Sequence, residues 1–165
     1  MGSTSVIVEG ILLIAAVVAA SVFATTFLTR IGEIKDSFAY SMKANVAKVK
    51  TKVVITYTTY NDSANYFVIY VKNVGQYTVS PISEMDIYFG TLGKASLYNY
   101  DKDGILSPGE WDYVEISGKK TGVWELGETI EIRVLNASTI NPPYYVKIVL
   151  PCGVSAEEIF SKVPR

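Results

Sequence analysis

The first part of the chain is dominated by an apolar stretch with a single charge. Residues 6–28 read VIVEGILLIAAVVAASVFATTFL, and between Ile11 and Ala20 a helix would be apolar on every face. A surface helix of a soluble protein carries only an apolar stripe, whereas roughly twenty apolar residues span the hydrocarbon core of a bilayer. A signal peptide would have a shorter apolar region behind a positive segment. The pattern predicts a membrane-spanning or pilin-like α-helix.

Glu9 is the charge within this stretch. A carboxylate in lipid is costly, so Glu9 is expected either to find a partner or to reach the water at the membrane edge. In pilin-like polymers, a glutamate near this depth pairs with the amino terminus of a neighbouring subunit. The residues that we expect to contact lipid or neighbouring helices are Glu9, Ile11, Leu12, Val17 and Phe23.

After residue 28 the pattern becomes amphipathic. Apolar residues recur at steps of three and four from Ile31 to Val49, with charged residues between them. This spacing predicts that the helix continues to about Lys50. Its apolar seam has two explanations: it packs on the chain's own later domain, or it packs on helices of neighbouring subunits.

A change to β-type patterning follows Lys52. VVITYTTY at 53–60 and YFVIYVKN at 66–73 flank an Asn-Asp-Ser turn, which predicts a β-hairpin. Short strands separated by Gly, Pro, Asn and Asp indicate a sandwich. We therefore predict a helical segment over residues 1–50 and an all-β sandwich over residues 51–165. The other predicted strands are 85–89, 96–100, 111–116, 129–135 and 144–150.

Composition narrows the function. Basic and acidic residues number 15 and 16, so no basic surface is available for nucleic acid. The chain has no histidine, which removes the usual general base and imidazole metal ligand. Its one cysteine, Cys152, cannot form an internal disulfide. We expect no enzymatic activity, no small-molecule substrate and no required cofactor.

The orientation in a membrane is left open by two opposing signals. Arg30, Lys35 and Lys43 follow the apolar stretch, and the positive-inside rule would keep the later domain in the cytoplasm. Asn61 and Asn136 each begin an N-x-S tripeptide, the acceptor pattern for N-glycosylation, which favours an external domain.

One loop carries the spacing of a calcium-binding loop. Asn99–Glu110 reads NYDKDGILSPGE, with oxygen ligands at alternate positions, a glycine at the sharp turn and a final glutamate. Flanking helices are not predicted, so a polar turn between strands explains the same residues. If Ca²⁺ binds, it rigidifies the loop. The candidate ligands are Asn99, Asp101, Asp103, Ile105, Ser107 and Glu110.

The whole arrangement resembles archaellum proteins. The resemblance rests on the apolar helix, its amphipathic continuation and the motifs KNVG at 72–75, DIYFG at 86–90 and SPGE at 107–110. The chain is similar to the archaellar accessory FlaG and FlaF proteins. That resemblance implies an immunoglobulin-like sandwich outside the membrane and a stator role that links the motor to the surface layer.

Archaellin, the filament subunit, is the next nearest relative. Archaellins are usually longer and carry a basic residue and a glycine before the apolar run. Here residues 2–5 read GSTS, without Lys or Arg, so the prepilin-peptidase pattern is missing. This difference favours the unprocessed accessory protein.

The resemblance thus predicts a membrane-anchored accessory or stator subunit of the archaeal motility apparatus. Its expected partners are the membrane, like subunits, other archaellum components and surface-layer protein. The expected location is the cell membrane, with the later domain in the pseudoperiplasmic space. Two alternatives remain: an archaellin or pilin-like subunit of an extracellular filament, and a calcium-stabilised, membrane-anchored adhesion module.

Overall fold

The protein begins with one long helix. A computed structural model describes residues 2–116 and 121–161, with side chains from residue 6 onward. Helix α1 spans Gly2–Lys50, a length of roughly 74 Å at 1.5 Å per residue. The predicted continuous helix is therefore confirmed. The chain divides into two compact units, residues 1–44 and 45–165, so the end of α1 belongs with the second unit.

Hydroxyl groups in the apolar half of α1 are bonded within the helix itself. The Ser21 hydroxyl donates to the Val17 carbonyl at 2.7 Å, and the Thr25 hydroxyl donates to the Ser21 carbonyl at 2.8 Å. Thr26 and Thr29 make the same bond one turn back. Such bonds remove the cost of carrying hydroxyls into an apolar medium.

Eight strands follow the helix within the described residues. The predicted hairpin and all five other predicted strands are present, with ends that differ by at most two residues. A short 3₁₀ helix covers Ile82–Glu84. The strands are β1 Val53–Asn61, β2 Tyr66–Asn73, β3 Asp86–Thr91, β4 Lys94–Tyr100, β5 Glu110–Glu115, β6 Thr129–Leu135, β7 Tyr144–Val149 and β8 Ser155–Phe160.

The strands pair in the order β1-β2-β6-β5-β4-β3-β7-β8. All neighbours are antiparallel except β4 and β5, which pair in parallel over two residue pairs only, Asn99 with Glu110 and Tyr100 with Trp111. Strands β1 and β8, at the two ends of this order, contact each other. The sheet is therefore folded over into a closed sandwich, as the sequence predicted.

The core lies entirely between the two layers of this sandwich. In β6, alternate residues Ile130, Ile132 and Val134 are fully buried, and their neighbours are only partly buried. Two tryptophans, Trp111 and Trp124, are also fully buried. Aromatic and branched side chains fill such pleated interiors efficiently. This core fixes the strands whose loops form the sites below.

Strand β8 was not predicted from the sequence. Val154, Ala156, Glu158 and Phe160 alternate toward the interior, so the period of two is present. Glu158 occupies an inward position opposite Val146, where a strand pattern should be apolar. This charged residue interrupts the apolar alternation by which a strand is predicted from sequence.

Candidate functional site

The apolar residues of α1 are exposed along its first half. Ile11, Leu12, Val17 and Phe23, which we predicted to contact lipid or other helices, are 59–73% exposed. The helix contains a window with mean hydropathy 2.6, long and apolar enough by length and composition to cross a membrane. The exposure of these four side chains is compatible with lipid or helix contact. The assignment of individual contact residues stays a prediction.

Three sequence motifs of the sandwich turn out to be structural. In KNVG, Asn73 is fully buried, its side-chain amide donates to the Tyr77 carbonyl at 2.9 Å, and its oxygen accepts the Gly75 amide at 3.0 Å. A Cβ on Gly75 would lie 2.5 Å from the Lys52 nitrogen and 2.7 Å from the Lys50 carbonyl oxygen. Only glycine allows this approach. The motif joins the helix end to the sandwich.

DIYFG and SPGE serve strand pairing and turning. A Cβ on Gly90 would lie 2.8 Å from the Lys94 carbonyl oxygen, so this glycine lets β3 and β4 pair closely. In SPGE, the Glu110 carboxylate accepts the Ser107 amide at 2.9 Å, and the Glu110 amide donates to the Ser107 carbonyl. Gly109 has φ +92°, a backbone conformation that residues other than glycine rarely adopt.

The candidate calcium loop is closed by its own backbone. Asp101 is buried, and its carboxylate accepts the amides of Asp103 and Gly104, both at 2.9 Å. Asp103 in turn accepts the Ile105 amide at 3.0 Å. Burial acts to raise the pKa of the Asp101 carboxyl, but these hydrogen bonds outweigh burial and hold the pKa below its ordinary value.

These contacts account for the loop without an ion. Asn99 is held in β4 by pairing with Glu110, and the Ile105 carbonyl accepts the Ser107 hydroxyl at 3.2 Å. Over residues 2–116 and 121–161, no group of three or more His, Cys, Asp or Glu side chains is placed to hold a metal ion. The loop's hydrogen bonds therefore do not depend on a bound ion, and calcium binding stays a prediction.

Both N-x-S asparagines lie at one end of the sandwich, the end opposite Val53, which we call the far end. The Asn61 side-chain oxygen accepts the amides of Ser63 and Ala64, both at 3.1 Å, and closes the β1–β2 turn. Asn136 follows β6, accepts the Tyr98 hydroxyl and donates its side-chain amide to the Ser138 carbonyl at 2.9 Å. Glycosylation at either asparagine stays a prediction.

A cleft of about 580 Å³ opens at this far end. It lies between the β1–β2 turn and the loop that follows Asn136, and sequence reasoning did not find it. Tyr60, Phe67 and Tyr144 line it from three different strands. Only the folded sheet brings these aromatic residues together, although each stands beside a turn-forming segment that the sequence shows.

Comparison with known proteins places the chain in a family. The archaeal-type flagellin family matches residues 2–159, which is nearly the whole chain. The chain belongs to the archaeal-type flagellin family. The predicted resemblance to archaellum proteins is thereby confirmed. No curated protein sequence matches the chain significantly.

Solved structures with this fold include archaellum proteins. The archaellum periplasmic stator protein FlaG from Sulfolobus acidocaldarius is 27% identical, with a TM-score of 0.55 over 67% of this chain and 99% of that chain. The archaellum periplasmic stator complex of FlaF and FlaG from the same organism matches with 25% identity and TM-score 0.54, over 67% of this chain and 89% of the matched chain.

An archaellin shares the fold at lower identity. The archaeal flagellin FlaB1 from Methanocaldococcus jannaschii is 15% identical, with a TM-score of 0.52 over 68% of this chain and 90% of that chain. The helix-plus-sandwich prediction is confirmed, and this protein is an archaellum-related protein. Its relatives are structural proteins of the archaellum.

Proposed function

We propose that this protein is a membrane-anchored accessory subunit of the archaellum, of the stator type. The observation that supports the proposal most strongly is the match of 67% of this chain to nearly all of the FlaG stator chain at 27% identity. The archaellin match, at 15% identity, carries the fold alone. The role is structural, with no catalysis and no required cofactor.

The apolar half of α1 is the anchor in this proposal. Residues 6–28 would extend roughly 35 Å as a helix, and the hydrocarbon core is about 30 Å thick. Exposed apolar area costs about 25 cal/mol per Å² in water, so a row of side chains that are 51–73% exposed requires lipid or other helices. Glu9 is near the start of this segment, and we propose that it reaches interfacial water or a neighbouring subunit.

The second half of α1 and the sandwich would make the protein contacts. Ile34, Phe38 and Val49 are 66–84% exposed, an apolar surface beyond the length that one bilayer crossing needs. We propose that it packs against helices of like subunits or other archaellum components. The sandwich would lie in the pseudoperiplasmic space and bind surface-layer protein, a location favoured by the two N-x-S tripeptides and opposed by the charges after the helix.

The second candidate function is a filament subunit. It is favoured by the family match, since the archaeal-type flagellin family covers residues 2–159. In that case α1 would pack in a filament and the sandwich would form its outer surface. The two candidates therefore differ in where the chain is found and whether its N-terminal residues are removed.

Fractionation of native cells separates these candidates. Membranes and sheared filaments are purified, the chain is quantified in each, and its intact mass is measured. We expect the chain in the membrane fraction with residues 1–28 retained, and protease treatment of intact cells stripped of surface layer should digest its sandwich. Enrichment of a shortened chain in sheared filaments would make it a filament subunit. A protease-resistant sandwich would contradict the external location.

A further inference from the structure

We propose that the far-end cleft binds a neutral saccharide. The proposal does not depend on the stator assignment, because it concerns the chemistry of one cleft. A volume of about 580 Å³ lies within the range of roughly 300–1,000 Å³ typical of small-ligand sites. The cleft is open on one side, as a site for the end of a longer glycan chain must be.

One wall of the cleft is aromatic. The rings of Tyr60 and Phe67 lie 4.8 Å apart between centroids, and those of Phe67 and Tyr144 lie 5.2 Å apart. Phe67 is buried, whereas Tyr60 and Tyr144 are only partly buried and leave ring surface at the cleft. Sugar rings have one face of C–H groups, which packs on aromatic faces because the π-system carries partial negative charge.

The exposed rim of the cleft is mostly polar, and among the described residues Asp62 is its one charged side chain. Asp62, Asn65, Ser138 and Thr139 are exposed and line the opening. Carboxylate, amide and hydroxyl groups together offer donors and acceptors in the close mixture that adjacent sugar hydroxyls require. Some are already oriented: the Tyr60 hydroxyl donates to the Asn65 side-chain oxygen, and Asn136 is fixed by Tyr98 and Ser138.

The same lining disfavours other ligands. No Lys or Arg lines the cleft within the described part of the chain, so phosphate or nucleotide would meet Asp62 without a compensating cation. A purely apolar peptide would leave the exposed polar rim desolvated and unpaired. An aromatic wall combined with a rim of amide, hydroxyl and carboxylate groups fits a neutral, hydroxyl-rich ligand best.

The test is calorimetric titration of the full chain, produced without glycosylation and held in a detergent that has no sugar headgroup. The probes are the disaccharides N,N′-diacetylchitobiose, cellobiose, maltose and α-mannobiose. We expect saturable binding of at least one of them. Tyr60→Leu keeps apolar bulk but removes the ring and hydroxyl, so it should weaken that binding at least tenfold.

Tyr57→Leu is the matched control. Tyr57 lies on the same strand, is 47% exposed and does not line the cleft, so its replacement should leave the affinity unchanged. If Tyr60→Leu does not fold by circular dichroism, Asp62→Ala, on the exposed rim, replaces it and should weaken binding several-fold.

Three outcomes overturn the proposal: no probe binds saturably, Tyr60→Leu or its substitute binds as well as the wild type, or Tyr57→Leu loses binding equally. Concentration-dependent self-association that disappears in Tyr60→Leu, without saccharide binding, would assign the cleft to a second copy of the chain instead. Loss of saccharide binding leaves the fractionation result unaffected, so the two proposals fail separately.

Discussion

Glu158 is a partly buried acidic residue whose position in β8 is unfavourable for folding. It points inward on β8, and its Oε2 atom is buried without a hydrogen-bond partner among the described residues. Burial raises the pKa of this carboxyl above its ordinary value. The folded protein therefore keeps a proton at pH values where the unfolded chain has lost it, and stability falls as pH rises through that window.

Glu158→Gln should relieve this cost at neutral pH. The amide cannot ionise, so the cost of a buried charge is removed, and we expect the free energy of unfolding to rise by about 1 kcal/mol at pH 7, the usual size of a single-residue effect. Below the ordinary carboxyl pKa of about 4.3, both states of the wild type are protonated and the gain should vanish. Urea unfolding of both proteins at pH 7 and at a pH below about 4.3 measures this gain in the free energy of unfolding.

The neighbouring Glu157 provides the control for this substitution. It is exposed on the same strand and accepts the Tyr145 hydroxyl at 2.7 Å, a bond that glutamine can also accept. Glu157→Gln should change stability by less than about 0.5 kcal/mol, as surface substitutions usually do. An equal gain from Glu158→Gln at both pH values would show that ionisation is not the cause.

Helix α1 carries two kinds of surface in one continuous element. Its first half is apolar on all faces apart from Glu9, and its second half carries the other charges. The hydroxyls of Ser21, Thr25 and Thr29 are satisfied by carbonyls one turn back, which suits a segment placed in lipid. The boundary between the halves, near Arg30, is where we expect the membrane surface.

Val17→Arg tests the anchor at the middle of residues 6–28. A central arginine should raise the apparent free energy of insertion by about 2.5–3.5 kcal/mol, enough to reduce retention in carbonate-washed membranes severalfold or more. Tyr40→Arg is the control, because Tyr40 is 78% exposed on the same helix and lies beyond the proposed membrane segment. Equal retention of Val17→Arg and wild type would argue against a membrane-spanning segment.

The protein consists of two compact units that differ in where their apolar residues are buried. Among the described residues, all the buried hydrophobic side chains, from Val53 to Phe160, lie in residues 45–165. A match over 67% of this chain covers 99% of the FlaG stator chain. A complete core within one unit predicts that this unit folds without the membrane segment.

A fragment of residues 45–165 should therefore fold alone in water. We expect a single cooperative unfolding transition and a midpoint within a few degrees of the same domain in the detergent-solubilised full chain, measured by near-ultraviolet circular dichroism. A shorter fragment, residues 53–165, is the comparison. It lacks Lys50, whose carbonyl accepts the Gln76 amide at 2.8 Å, and the buried Thr51, and should melt earlier. A fragment of residues 45–165 that stays unfolded would contradict this division.

Local periodicity determined much of this architecture. Apolar residues on every face specified the helix, and alternation specified the β1–β2 hairpin and strands such as β6, because each pattern depends only on neighbours along the chain. The motifs KNVG, DIYFG and SPGE indicate a resemblance to archaellum proteins from the sequence alone. Strand β8 escaped, since Glu158 interrupts its apolar alternation.

Tertiary structure decided what lies together. The Asn73 side-chain amide donates to the Trp124 carbonyl at 3.4 Å, and Gly75 fits against the helix end. Together with the assembly of the far-end cleft from Tyr60, Phe67 and Tyr144, these contacts join segments distant in sequence. The calcium-like loop had a spacing that the sequence shows, but only the fold revealed that backbone amides already engage its carboxylates. Sequence spacing fixes which groups are available, and packing fixes which of them meet.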